Sequence, residues 1–129
     1  MNNLIQDLKI DIFSRAKVFI EGIGEFAPFG SKSINGNVKP VIYSGEADEN
    51  DSIDSTKGIK ILKEQFSKEI KENKIDAAAI AYDVAVNIKN SDGISEKRDA
   101  LCLEITTDGY NWADEYFPYM IIDGSCVWR

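Results

Sequence analysis

The chain contains no histidine among its 129 residues. That excludes the Ser-His and Cys-His nucleophile systems and removes the commonest general base near neutral pH. Cysteine is scarce as well, with Cys102 and Cys126 the only two. Two thiolates without histidine do not complete an ordinary zinc site unless carboxylates join them. No apolar run approaches the roughly 20 residues of a membrane span. The start of the chain, Met1-Asn2-Asn3-Leu4-Ile5-Gln6-Asp7, lacks the basic and apolar stretches of a secretory signal. The expectation is therefore a cytoplasmic protein with no membrane partner, no cofactor and no metal, whose two cysteines stay reduced. Basic residues are the minority, 15 against 22 acidic, for a net charge of −7. Such a surface repels phosphate backbones, so no nucleic acid is expected, while a basic protein partner would be steered in.

What is present describes one soluble domain. A length of 129 residues with 43% hydrophobic and 29% charged side chains suits a single core spanning 1–129. Four dipeptides pair Asn or Asp with glycine: Asn35-Gly36, Asp92-Gly93, Asp108-Gly109 and Asp123-Gly124. Type I′ turns need positive φ at both central residues, which these pairs adopt most cheaply, so the pattern predicts antiparallel hairpins.

Residues 3–21 read as an amphipathic helix, with Ile5, Leu8, Ile12, Ala16 and Phe19 at spacings of three and four. Gly22 and Gly24 end it. A first hairpin runs from Ser31 to Ile34 and from Val38 to Tyr43 around Asn35-Gly36. A polar acidic loop covers 45–54. A second helix follows over 55–73, burying Ile59, Leu62, Phe66 and Ile70. The long strand from Ile75 to Lys89 has a bulky parity (Ala78, Ile80, Tyr82, Val84, Val86, Ile88), the expected core face. Its other parity (Ala77, Ala79, Ala81, Asp83, Ala85, Asn87) is small and reads as the solvent side. Strands from Arg98 to Thr107 and Tyr110 to Ile122 meet at a tight Asp108-Gly109 turn, and Ser125–Trp128 closes the chain. The order α-β-β-α-β-β-β(-β) predicts an α+β fold. Its two helices would pack on one face of a twisted antiparallel sheet of five to six strands, leaving the opposite face open for contact.

Asp48, Asn50, Ser52 and Asp54 have the alternate spacing of a calcium loop. Ile53 and Ile59, however, stand where that loop needs glycine and a bidentate glutamate. Asp83 and Glu104 are mid-strand carboxylates on neighbouring strands, and Asp is disfavoured in strand interiors. Converging, they could form an acid/base pair; otherwise Lys97 or Arg98 would neutralise them. Tyr110, Trp112, Tyr116, Phe117 and Tyr119 crowd one strand on both parities. An aromatic strip flanked by Asp114 and Glu115 would suit protein recognition, with cross-strand packing the alternative. Cys102, in mid-strand, reads as a small buried hydrophobe.

Four strings together resemble a family of small uncharacterised bacterial α+β proteins. They are Gly24-Glu25-Phe26-Ala27-Pro28-Phe29-Gly30, Tyr82-Asp83-Val84, Asp99-Ala100 leading to Glu104, and Phe117-Pro118-Tyr119. In that family the position after Glu104 is often histidine; Ile105 stands here, which removes any activity resting on it. The resemblance transfers no catalytic residue. At the level of fold, small acidic α+β proteins are also similar to immunity proteins of bacterial toxin systems.

These features lead to an expectation of a non-enzymatic protein-binding domain of the immunity type that neutralises a basic toxin. Asp83, Glu104, Asp114 and Glu115 would provide charged contacts, and Trp112 and Tyr116 the anchors. Two alternatives remain open. One is an enzyme or small-ligand binder using Asp83 and Glu104 in a sheet–helix pocket. The other is a self-associating domain, such as a homodimer pairing its edge strands.

Overall fold

A computed structural model describes residues 4–42 and 55–128. The acidic loop, with Asp48, Asn50, Ser52 and Asp54 of the calcium reading, lies outside the described residues. The elements are α1 (Leu4–Ile23), β1 (Phe29–Ile34), β2 (Asn37–Ile42), α2 (Ser55–Lys71), β3 (Ala77–Lys89), β4 (Ser95–Thr106), β5 (Ala113–Ile122) and β6 (Ser125–Trp128). The fold is α+β in the expected element order. The strands form one sheet in the order β2-β1-β3-β4-β5-β6, antiparallel at every junction.

Local chemistry sets the boundaries. Asn35 and Gly36 have φ of 52° and 82°, and Asp123 and Gly124 have 51° and 80°, the type I′ signature of two-residue hairpins. Helix α1 stops where Gly24, at φ 81°, donates its N–H to the Ile20 carbonyl. Helix α2 stops at Asn73 in the left-handed region; Lys74 N–H reaches Glu69 O and Asn73 N–H reaches Ile70 O, a Schellman closure.

The helices divide between the two faces of the sheet, which corrects the expectation that they share one. On one side Leu8, Ile12, Ala16 and Ile20 of α1 pack on Ala77, Ala79, Ala81, Leu101, Leu103 and Tyr119. On the other side Leu62 and Phe66 of α2 pack on Ala78 and Ile80. Both parities of β3 from Ala77 to Ala81 are therefore buried. The physical reason lies in the alanines. A row of methyl groups makes a flat floor that a helix can approach closely, and Ala16, fully buried, presents a methyl from above. Ile5 and Phe19 do not lead the buried stripe; Ile5 is 45% exposed, and Phe19 stacks edge-on against Phe29.

The β4–β5 connection also differs from the tight turn expected. Asp108 has negative φ, and β5 begins only at Ala113. Its Oδ1 accepts from the backbone N–H of Tyr110 and of Asn111, both at 2.8 Å, while Oδ2 accepts from Asn111 Nδ2. These bonds hold its carboxyl far below the usual carboxylate range. Gly109 is required twice: its φ is 81°, and a Cβ there would lie 3.0 Å from the Ser67 carbonyl oxygen of α2.

Candidate functional site

Direct cross-strand partners share a face of a sheet and successive residues alternate. Register therefore assigns every candidate to a side. Asp83 pairs with Leu101 and lies on the α1 side; Glu104 pairs with Ile80 and lies on the α2 side. The two carboxylates thus point away from each other through the sheet. The acid/base reading that required them to converge ends with this geometry.

Each carboxylate has its own partners, and neither uses Lys97 or Arg98 as expected. Asp83 Oδ1 accepts from Tyr119 Oη at 2.8 Å. Burial pushes its carboxyl up, against the Tyr119 bond, with Asp99 and Glu25 adding negative charge nearby. Glu104 is 7% exposed. Its Oε1 takes Lys63 Nζ at 2.7 Å and its Oε2 takes Tyr82 Oη at 2.6 Å. Burial, with the Cys102 thiol beside it and the bond to Glu104, pushes the Tyr82 phenol well above its ordinary value.

This arrangement continues to Cys102. Its thiol, fully buried, stands between its cross-strand partners Tyr82 and Tyr116, and burial pushes it up, away from thiolate. Lys63 Nζ also stands 5.7 Å from the Trp112 ring centroid, and Lys71 Nζ 4.1 Å from that of Tyr110. Lys63, Tyr82 and Cys102 were not among the expected site residues. The hint for Lys63 was its place beside Leu62, next to the buried stripe of α2.

The remaining candidates separate. Trp112 precedes β5 and packs half-buried against the α2-side cluster. Asp114 and Tyr116, cross-strand partners of Glu104 and Cys102, share that side and are exposed, Tyr116 by 53%. Glu115 turns to the α1 side, where its Oε1 meets Lys9 Nζ at 3.1 Å. Of the six residues, Glu104, Trp112, Asp114 and Tyr116 therefore gather, while Asp83 and Glu115 lie across the sheet.

Beyond Tyr116 the same side continues as Pro118, Met120 and Ile122 of β5, with Val127 of β6 opposite Met120. The α2-side cluster includes no residue of β5 or β6. Ile122 is 37% exposed, and Pro118, Met120 and Val127 are half-buried. Among the described residues this is an apolar sheet surface without a helix on it. No group of three or more His, Cys, Asp or Glu among the described residues could hold a metal ion, and no described helix is long and apolar enough to cross a membrane.

Both sheet edges are blunted. Pro40 removes a donor from β2. β6 is four residues long, and its Cys126 N–H is taken by Glu21 Oε2 from α1 at 2.8 Å. The two cysteines are free and buried; Cys102 faces α2, and Cys126 belongs to the α1-side cluster. Compared with protein-family models, curated proteins and solved structures, the chain matches none of them. The resemblance noted above thus rests on its four strings alone.

Proposed function

We propose that this is a non-enzymatic protein-binding domain whose contact surface is the bare β5–β6 part of the α2 side. The observation that carries the reading is the apolar strip Tyr116, Pro118, Met120, Ile122 and Val127, which neither helix covers. A sheet face turned permanently to water would alternate polar residues outward; this one does not. Trp112 and Asp114 adjoin it. A specific interface takes about 800 Å² per partner, so contact extends from the strip to these two, with Tyr116 and Trp112 as anchors.

Charge selects the partner. Residues 55–74 carry six lysines and three glutamates, a local +3, so the rest of the chain carries −10. A basic protein is repelled from α2 and drawn towards β4–β6, where Glu96, Asp114 and Asp123 are exposed. Neutralising a basic toxin, as an immunity protein does in the bacterial cytoplasm, is the biological role that fits this requirement. The blunted edges speak against self-association by strand pairing.

The test uses immobilised wild-type protein and the Tyr116→Asp/Ile122→Asp variant, both shown to be folded by circular dichroism, against lysate of the source organism. Wild type retains a basic protein whose binding weakens as salt rises from about 0.05 to 0.5 M, and the variant does not retain it. Retention of the same protein by both, or of none by wild type, refutes the reading.

A further inference from the structure

A cleft of about 330 Å³ opens on the opposite side of the sheet, between the first turns of α1 and the β4–β5 hairpin. Its apolar lining is Ile5, Leu103, Ile105 and Ala113, and Lys9 and Glu115 stand at its rim. Leu103 is buried beneath it, whereas Ile5 is 45% exposed. Ile5 lies one turn before Leu8, and nothing in the described residues fills the space before it. Among the described residues the cleft is thus apolar surface left unfilled, at the lower end of the size range of small-molecule sites.

The rim defines what could fill it. Lys9 Nζ and Glu115 Oε1, from a helix and a strand, meet at 3.1 Å. Asp108 also lines the cleft, its carboxylate held in place by the loop bonds described above. A ligand carrying one charge would replace one partner of the Lys9–Glu115 pair and leave the other without its counter-ion. A zwitterion replaces one ion pair with two, its carboxylate on Lys9 and its ammonium on Glu115. We infer that the cleft binds an apolar amino acid in zwitterionic form, its side chain lying on Ile5, Ile105 and Ala113. This site is independent of the protein-binding surface, which lies across the sheet.

The test is titration of the full-length protein with L-leucine, followed by amide chemical shifts. Two controls each remove one charge from leucine: 3-methylbutylamine lacks the carboxylate and 4-methylpentanoate lacks the ammonium. Leucine shifts the amides of residues 5–9, 103–107 and 111–115, and each control binds about 5-fold more weakly, the scale of one partly exposed ion pair. In Lys9→Met, where no cation remains for the carboxylate, leucine and the amine bind alike. Ala113→Leu, at an exposed position on the cleft wall, fills the space and abolishes the shifts while the rest of the spectrum stays native. Absence of leucine-induced shifts, equal affinity for leucine and both controls, or undiminished binding to Ala113→Leu overturns the inference.

Discussion

Replacing Glu104 by glutamine should destabilise the domain without touching its recognition surface. The carboxylate is 7% exposed and receives Lys63 at 2.7 Å and Tyr82 at 2.6 Å. Glutamine keeps the shape but turns one acceptor into a donor, so either the lysine or the phenol meets an N–H group. Lys63 is a third exposed and can return to water, which discounts the Coulomb part of the loss. What remains is the loss of a charge-assisted hydrogen bond in a nearly dry site, about 1.5–3 kcal/mol. With a urea m-value of about 1.5 kcal/mol/M, the midpoint falls by about 1–2 M while the slope stays constant. Tyr82→Phe removes only a donor, leaving Glu104 with Lys63, and should cost about 1 kcal/mol. The two substitutions share a bond, so the double variant should lose less than the sum of the singles. Partner capture should survive in Glu104→Gln, since the carboxylate is sealed. A Glu104→Gln midpoint shift worth less than about 0.5 kcal/mol, the range of ordinary surface changes, refutes the reasoning.

Gly30→Ala should cost about 1–3 kcal/mol by overpacking, because the new Cβ would stand 2.8 Å from two Phe66 ring carbons and 3.1 Å from the Ala79 carbonyl oxygen. Thermal unfolding reads this, and an unchanged midpoint contradicts the packing of α2 on β1. Burial raises the Asp83 pKa in the folded state; the native protein then binds more protons than the unfolded chain between the ordinary and the raised value, so this group's contribution declines as pH rises through that window. Wild type should therefore gain stability relative to Asp83→Asn as pH falls from neutrality towards the carboxylate range, and a gap that is flat or moves the other way defeats the assignment. Cys102 is fully buried and Cys126 is 8% exposed, with both thiols pushed up by burial. A thiol reagent should label neither before unfolding in mild denaturant, and rapid stoichiometric labelling of the native protein would show that one of them is accessible.

The parts of this fold that are legible in sequence are those where one physical cause acts alone. Asn35-Gly36 and Asp123-Gly124 form the turns expected of them because the flanking strands are regular and each glycine faces open space. Leu62 and Phe66 are buried as their helical spacing requires. Reading fails where one pattern has two causes. Ala77, Ala79 and Ala81 have the composition of an exposed strand face, yet small side chains also admit a close helix; only the matching Ala16 on α1 separates the cases. Asp108-Gly109 has the composition of a hairpin turn, but its aspartate closes a longer loop through its side chain, and its glycine answers the approach of Ser67. Asp83 and Glu104 lie on neighbouring strands as expected, but side chains alternate, so a single residue of register decides whether two carboxylates share a pocket or face opposite ways.

The distribution of the helices explains why a surface remains for a partner. Six strands at about 4.8 Å spacing make a sheet about 24 Å wide, whereas one helix with its side chains covers about 10–12 Å. Neither helix can cover a whole face by lying along the strands. On its side, α1 meets this by contacting β2 at one border and β6 at the other, with Phe13 set edge-on against Phe117 and Trp128. Helix α2 packs on β1 and β3 and meets β4 through the Lys63–Glu104 pair. Beyond that pair, strand alternation leaves the residue types on β5 and β6 free to be polar, at no cost to the core on the α1 side. They are nevertheless Pro118, Met120, Ile122 and Val127. An apolar choice at positions where the fold itself gains little from it is the signature of a surface that something else covers.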